Sequence, residues 1–254
     1  MKKYIIGIDG GATKTTGIIL DTNGNTLGIN TQVGTNLKLD PNDAPVIILN
    51  LIRELCRSIM ISTDDILTVG LGLAGASHEF GREKLFKSLD NENLTKRTIL
   101  CSDAEAAFKI LCPLNYGIML SVGTGIICYG KDINGKSYRT AGLGHGSDKG
   151  SAYWIGEQLL WQLSLNESAE ISDYESIELA QILSKKVSDI SIDHGIKSII
   201  NSEDKVSNIA SLAKDVCDIA EKQNDLALGI LLEATREAAE YVLQIKDLMN
   251  IQES

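Results

Sequence analysis

Residues 8–15 read IDGGATKT and lie between two runs with the composition of β-strands, Tyr4 to Ile8 and Thr15 to Leu20. Glycine has no Cβ atom, so backbone N–H groups in such a turn can approach a phosphate, and Thr13 and Lys14 add a hydroxyl group and a charge. A P-loop needs GxxxxGKS or GxxxxGKT, and both a P-loop and a Rossmann turn lead into a helix, whereas a strand follows here. A plain structural turn is the alternative, but it does not require an acid, glycines, Thr and Lys together. The segment therefore favours a glycine-rich hairpin that binds phosphate.

The pattern around this hairpin alternates between strands and helices. Asn23-Gly24 is a typical hairpin turn, after which a third strand is predicted at Thr26 to Val33. Further strands are predicted at Ile66 to Leu73 and Thr98 to Cys101, and helices at Pro45 to Met60 and Asp103 to Leu111. The order β-β-β-α-β-α-β-α indicates a mixed sheet with helices on its faces, which is an α/β fold.

The same pattern starts again after Pro113. Strands are predicted at Gly117 to Ser121, Ile126 to Gly130 and Lys136 to Thr140, with a second hairpin turn at Asn134-Gly135. Two copies of a three-strand unit indicate a duplicated domain, so we expect an N-terminal lobe at residues 1–112 and a C-terminal lobe at residues 113–254. From about Ser151 the pattern is nearly all helical, and the last helix, Asp225 to Met249, carries an apolar stripe typical of a core.

A second glycine-rich turn, SVGTG at residues 121–125, lies between two of these strands. On its own, GTG is most often a plain turn. Here it is the second glycine-rich turn that connects two strands, and this repetition strengthens its interpretation as a phosphate loop. Two such hairpins facing each other would hold the phosphates of a nucleotide from both sides.

Asp103 follows the predicted strand Thr98 to Cys101 at the point where a helix begins. An acid at the carboxyl end of a strand points into the crevice of an α/β sheet, where ligands bind. Asp is also a favoured helix N-cap, and its position alone favours that role. With two phosphate hairpins in the same chain, a catalytic base is at least as well supported.

Two further loops are rich in polar or glycine residues. The stretch Gly142 to Gly156 has five glycines in fifteen residues and carries His145 and Asp148 ahead of a helix. A lone His is usually structural or exposed, and Asp148 could cap the helix, but the glycine density favours a ligand loop. For Val33 to Asn36, an ordinary turn is the better interpretation from the residues alone.

Composition excludes several classes of protein. The 254 residues are 43% hydrophobic and 23% charged, a globular balance that argues against disorder. A net charge of −10 argues against general nucleic-acid binding. The five cysteines form no CxxC pair, which favours buried free thiols over zinc or iron–sulfur ligation. No apolar run approaches the ~20 residues of a membrane span, so we expect a soluble cytoplasmic protein without a membrane partner.

Together these segments resemble the sugar kinase/heat-shock ATPase/actin superfamily, and more narrowly the BadF/BadG/BcrA/BcrD ATPase family with its N-acetylglucosamine kinases. GIDGGATKT and SVGTG are similar to the two phosphate motifs of the family. VGTN resembles a sugar-contacting loop, CSDAEAAF the segment that holds the catalytic acid, and GLGHGSDKGSAYWIG the family stretch GWGHxxGDEGSAYWIG. The resemblance implies a two-lobed actin-like ATPase fold of the ribonuclease H-like kind.

The resemblance also implies a function and its residues. It implies an ATP-dependent kinase that phosphorylates a hydroxyl group of an amino sugar, most readily N-acetylglucosamine, with ATP and Mg²⁺ as cofactors. Asp103 would be the general base, and Asp9 would lie near the metal. The implied phosphate contacts are Gly10, Gly11, Thr13, Lys14, Gly123, Thr124 and Gly125. The implied sugar contacts are Asn36, Thr124, His145 and Asp148. Homodimer formation is left open.

The chain departs from the family pattern at three places. The glycine loop is one residue shorter, and Leu143 and Lys149 replace the usual Trp and Glu, which bears on the identity of the sugar. The family continues past the last helix into a strand and a Gly-Gly motif that cradles adenosine, whereas this chain stops at Ser254. We therefore expect a helix-rich second lobe that is C-terminally incomplete, or an adenine held in another way.

Two other functions stay open from the sequence. One is an ATPase that activates a radical dehydratase, although such activators generally carry cluster-ligating cysteines and the cysteine spacing here offers none. The other is a non-catalytic sugar-binding protein, a kinase relic that has lost its adenosine site.

Overall fold

The computed structural model describes residues 3–11, 13–166, 181 and 192–251. The chain divides into two compact units, Met1–Leu111 and Cys112–Ser254. Among the described residues, no helix combines the length and the apolar composition needed to cross a membrane.

The first unit is built on a mixed sheet. Its strands are β1 Tyr4–Gly10, β2 Lys14–Asp21, β3 Thr26–Val33, β4 Ile66–Leu73 and β5 Thr98–Cys101, and its helices are α1 Asp43–Ser58, α2 Glu79–Asp90 and α3 Asp103–Leu111. The strand order is β3-β2-β1-β4-β5. Because β1, β4 and β5 are parallel, their carboxyl ends meet at one edge of the sheet.

One face of this sheet forms the core of the first unit. Side chains alternate between faces along a strand, so Ile6 and Ile8 are buried on one side while Asp9 lies on the other. Helix α1 covers the apolar face, and Gly17 permits its close approach because a Cβ atom there would lie 2.8 Å from Leu55 Cδ1. Helix α3 lies on the opposite face, where Asp9 and Gly72 stand side by side in the register of β1 and β4.

The second unit has an antiparallel sheet and a helical part. The sheet order is β6-β7-β8, with β6 Gly117–Val122, β7 Ile126–Lys131 and β8 Ser137–Ala141. The described helices are α4 Ala152–Asn166, α5 Ile192–Ile200, α6 Lys205–Ala220 and α7 Asp225–Leu248. Helices α4 and α6 pack most closely at Gly156, where a Cβ atom would overlap the carbonyl oxygen of Ile209.

Helix α7 lies along the sheet of the second unit. A Cβ atom at Gly130 of β7 would lie 2.5 Å from Ile245 Cγ2, and the Thr140 hydroxyl of β8 donates to the carbonyl of Tyr241 at 2.9 Å. The predicted apolar stripe of this helix is confirmed, since Ile230, Ala234 and Ile245 are buried.

The strands and helices whose bounds the sequence predicts are confirmed with small shifts at their ends. Both Asn-Gly turns form, and Gly24 and Gly135 have φ values of +86° and +83°, which glycine adopts readily. The helical pattern expected at residues 167–180 and 182–191 lies outside the described residues.

The expectation of buried free thiols is confirmed only in part. Cys56 and Cys128 are buried, and burial raises the pKa of Cys56 to about 11. Cys101 and Cys112 are half-buried, and the expectation is wrong for Cys217, which is exposed on α6. Cys217 lies outside the hydrophobic stripe of α6, because Val216 and Ile219 face the core while position 217 faces solvent.

Candidate active site

The first glycine-rich hairpin connects β1 to β2 and joins two other loops. The N–H of Gly11 donates to the carbonyl of Lys14 at 3.0 Å and closes the turn. The carbonyl of Gly11 accepts from Thr35 N–H at 2.9 Å, and that of Gly10 accepts from Ala74 N–H at 2.7 Å. The N–H of Gly11 is therefore already used within the turn, whereas Thr13 and Lys14 are exposed.

A buried pair of hydroxyl groups fixes this hairpin to the loop at residues 33–36. Thr15 Oγ1 and Thr35 Oγ1 lie 2.9 Å apart, and the two residues are 0% and 2% exposed. Gly10 stands against the same pair, because a Cβ atom there would lie 2.6 Å from Thr35 Oγ1 and 2.6 Å from Leu73 Cδ2. Gly10 is thus required by packing, whatever its role toward a ligand.

Thr35→Val is expected to lower the free energy of unfolding by about 1–3 kcal/mol, because it leaves the buried Thr15 hydroxyl without a partner. The double variant Thr15→Val/Thr35→Val should recover part of that loss, since both polar groups are then gone. Urea unfolding of the two single variants and the double variant measures the coupling. Strictly additive losses would show that the two hydroxyl groups do not stabilise each other.

The loop at residues 33–36 presents Asn36 in a defined orientation. Asn36 Oδ1 accepts from Lys38 N–H at 2.9 Å and from Leu39 N–H at 3.2 Å. The carboxamide oxygen is therefore occupied, and the NH₂ end is the part that can donate to a ligand. Gly75, with φ +73°, backs this loop, because a Cβ atom there would overlap Asn36 Oδ1. Sequence reasoning missed Gly75, which its positive φ and its close approach to Asn36 and to the backbone N–H of Lys38 explain.

Asp103 lies in the first turn of α3 and is half-buried. The interpretation of Asp103 as the N-cap is wrong, because Ser102 caps the helix: Ser102 Oγ accepts from Glu105 N–H at 3.1 Å. Asp103 Oδ1 instead accepts from the N–H of Ala104 at 2.9 Å. Ser and Asp are both good caps, so the two adjacent residues could not be told apart by propensity.

Gly72 of β4 lies beside Asp9 in the sheet and is packed against α3, the helix that carries Asp103. In the sheet register it pairs with Asp9 of β1 on one side and Cys101 of β5 on the other. A Cβ atom at Gly72 would lie 3.9 Å from Asp103 Cα and 2.8 Å from Ala106 Cβ. The missing side chain lets α3 approach the sheet, and the structure thereby brings Asp103 to the edge where the exposed Asp9 lies. Gly72 is a second residue that sequence reasoning missed.

The second glycine-rich hairpin, Gly123 to Gly125, is fastened to the start of α4. Gly123 N–H donates to the carbonyl of Gly125 at 2.8 Å. The carbonyls of Gly123 and Thr124 accept from Ala152 N–H at 2.9 Å and Tyr153 N–H at 3.2 Å. The first N–H groups of α4, which have no partner within the helix, are thus satisfied by the hairpin.

The glycine loop between β8 and α4 is held by Asp148. Asp148 is 4% exposed, and its Oδ2 accepts from Gly144 N–H at 2.9 Å. It does not cap α4, since Ser151 Oγ accepts from Trp154 N–H at 3.2 Å. His145 lies beside the second hairpin, with its Cε1 4.0 Å from the position of a Cβ atom at Gly125.

The side chain and backbone N–H of Lys149 both contact helix α7. Its Nζ lies 3.0 Å from Glu237 Oε1, and its N–H donates to the Tyr241 hydroxyl at 3.1 Å. The hydrogen bond with Glu237 raises the pKa of Lys149. The positive charge that replaces the usual Glu is therefore directed at the last helix.

Comparison with known proteins decides the family. The sequence profile of the BadF/BadG/BcrA/BcrD ATPase family matches residues 6–253. The chain belongs to this family. ATP use is a property of the family, and the α/β fold of the actin-like ATPase kind expected from the sequence is confirmed.

The relatives of this ATPase chain include curated kinases. An N-acetylmuramic acid/N-acetylglucosamine kinase of Clostridium acetobutylicum is 27% identical over 98% of this chain and 81% of its own length. An N-acetyl-D-glucosamine kinase of Dictyostelium discoideum is 30% identical over 63% of this chain, a match that spans 53% of that relative. A solved structure of a candidate N-acetylglucosamine kinase from Chromobacterium violaceum has a TM-score of 0.74 at 18% identity, over 96% of this chain and 84% of its own.

Proposed function

We propose that this chain is an ATP-dependent kinase that phosphorylates a hydroxyl group of an amino sugar, with N-acetylglucosamine as the first candidate. The observation that carries the proposal is that Asp9 and Asp103 both neighbour Gly72 at the carboxyl edge of the sheet, Asp9 as its partner in the sheet register and Asp103 on the helix packed against it. Family membership and the curated names of the two relatives support it.

Asp103 is the proposed general base. Its Oδ1 is engaged by the N–H of Ala104, so Oδ2 is the oxygen left to accept a proton from the sugar. As the sugar oxygen forms its bond to the γ-phosphorus atom, its proton passes to Asp103 and the bond to the β,γ-bridging oxygen breaks, which releases ADP. Phosphoryl transfer depends mainly on positioning and on charge neutralisation, and a carboxylate fixed in a helix suits that demand.

Asp9 fits the role of the residue that holds Mg²⁺. Its carboxylate is exposed at the end of β1, and Mg²⁺ is usually bound by one or two carboxylates together with phosphate oxygens and water. When bound, the metal would neutralise negative charge on the transferred group. Lys14, exposed at the start of β2, supplies a positive charge on the same hairpin.

Asn36 is the proposed sugar contact of the first unit. Because its oxygen already accepts two N–H groups, its NH₂ end would donate to a sugar hydroxyl or acetamido oxygen. In the second unit, Thr124 and Asp148 stay proposed sugar contacts. Asp148 also has a structural role, since it closes the glycine loop on Gly144.

The proposal is tested by sugar-dependent release of ADP. We expect ADP to form from ATP, in the presence of Mg²⁺, when N-acetylglucosamine is supplied, and its turnover is compared with that of glucosamine, N-acetylmuramic acid and glucose. Equal amounts of sugar phosphate and ADP must appear, and the same reaction without sugar is the control. A chain that binds nucleotide but forms no sugar phosphate with any of these sugars would be a non-catalytic relic, and the proposal would be wrong.

A further inference from the structure

The side chain of His145 has a buried ring nitrogen without a hydrogen-bond partner among the described residues. The ring is half-buried and tilted against Tyr153, with ring centroids 5.2 Å apart. Its Nδ1 is buried and has no hydrogen-bond partner within the part of the chain that the structure describes. Most buried polar atoms are paired, so an unpaired ring nitrogen is informative about the protonation of the other one.

The burial of Nδ1 decides which nitrogen carries the hydrogen. A hydrogen on Nδ1 would bury a donor without an acceptor, whereas a hydrogen on Nε2 leaves only a lone pair unpaired. Since the ring is half-buried and Nδ1 is its buried end, the opposite edge reaches solvent. His145 therefore presents Nε2–H as a hydrogen-bond donor at the surface of the glycine loop.

The neighbouring hairpin supplies two more donors. The carbonyls of Gly123 and Thr124 point at α4, where Ala152 and Tyr153 donate to them. The described chain has no cis peptide bond, and in a trans peptide the N–H points opposite to the C=O. The N–H groups of Thr124 and Gly125 therefore point away from α4, and neither donates to a described backbone group.

These three groups only donate, which selects the chemistry of the ligand. A sugar hydroxyl both donates and accepts, so it pairs with mixed surroundings, whereas a phosphoryl oxygen accepts only. Successive backbone N–H groups that face one point form an anion-binding concavity. We propose that His145 donates Nε2–H to a phosphoryl oxygen of the nucleotide at the Gly123–Gly125 hairpin. This inference rests on the proposed function and moves His145 from the sugar to the nucleotide.

Two amide substitutions distinguish the ring nitrogens. The glutamine side chain of His145→Gln places its amide nitrogen near the former Nε2, and the shorter side chain of His145→Asn places its nitrogen near the former Nδ1. We expect His145→Gln to keep ADP affinity within about threefold, and His145→Asn and His145→Ala to weaken it about 10- to 100-fold, as for the loss of one hydrogen bond to a charged group. Calorimetric titration with ADP and with N-acetylglucosamine measures both affinities, and sugar affinity should not change.

One further binding-site variant and one control variant separate binding from folding. Gly125→Ala places a methyl group in ordinary contact with the ring, 4.0 Å from Cε1, so the fold should tolerate it while ADP affinity falls. His194→Gln, at an exposed position of α5 in the same unit, should leave both affinities unchanged. Thermal unfolding of each variant shows whether the unit stays folded.

The titration needs no turnover, so it is independent of the kinase proposal. A chain that binds ADP in the manner described but phosphorylates no sugar would keep the assignment of His145 and overturn only the proposed function. Weaker sugar binding with unchanged ADP binding would place His145 at the sugar and overturn the inference. The inference would also be overturned if His145→Asn kept its ADP affinity while His145→Gln lost it. The same holds if the wild-type chain binds no ADP.

Discussion

Asp103→Asn is expected to lower kcat for sugar phosphorylation by about 100-fold or more, because an amide cannot accept the proton that leaves the sugar hydroxyl. The substitution keeps the shape of the side chain, and the amide oxygen can still accept from Ala104 N–H. Since Ser102 rather than Asp103 caps α3, the free energy of unfolding should barely change. Steady-state assays of ADP release, with urea unfolding of the same preparation, measure both quantities.

Two variants serve as controls for Asp103. Asp43→Asn removes an exposed carboxylate from the first turn of α1, the equivalent position on another helix, and should leave kcat unchanged. Ser102→Ala removes the cap and should cost about 1 kcal/mol of stability while kcat is largely retained. Near-normal turnover by folded Asp103→Asn would show that this carboxylate is not the base.

Gly72→Ala is expected to lower kcat by about 10- to 100-fold through a displacement of α3, since misplacing a catalytic group by about 1 Å has effects of this size. The added methyl group would lie 2.8 Å from Ala106 Cβ, which is too close for two carbon atoms, so the helix that carries Asp103 must shift. The overpacking should also cost about 1–3 kcal/mol of stability. Assays at saturating sugar and ATP separate this effect from binding.

A second substitution should relieve this steric clash. Ala106→Gly removes the methyl group that the new side chain meets, so Gly72→Ala/Ala106→Gly should recover most of the lost kcat. Ala106→Gly alone is the matched control, and it should cost about 1 kcal/mol of helix stability with little effect on kcat. If the double variant stays as slow as Gly72→Ala, the position of α3 is not what Gly72 controls.

Local patterns were enough to predict the strands, the bounds of three helices and both glycine-rich hairpins. The alternation of apolar residues in β1 and the Asn23-Gly24 turn depend on neighbours in sequence, so they can be read without a structure. The same holds for the apolar stripe of α7, which repeats with the helical period.

The residues that position the site could not be predicted in this way. Gly72 and Gly75 are required by Ala106 and Asn36, which lie more than 30 residues away in sequence. The choice of Ser102 over Asp103 as the cap depends on where β5 ends, to within one residue. The unpaired Nδ1 of His145 follows from burial, which no spacing of residues in the loop reveals.

The anchoring of the glycine loop to α7 limits where the loop can change length. One face of the helix is contacted at each end of the loop. Gly150 and Lys149, at the end of the loop, contact Ala234 and Glu237, and Thr140, just before its start, contacts Tyr241. Gly130 of β7 contacts the same face at Ile245. From Ala234 to Tyr241 a helix rises about 10 Å, so the two ends of the loop are held at a fixed span. Within the described part of the chain, no neighbouring atom lies within 4 Å of a Cβ position at Gly144 or Gly146. An insertion or deletion in this loop is therefore absorbed around His145, and variation in length between relatives should alter that segment while the two ends of the loop stay in place.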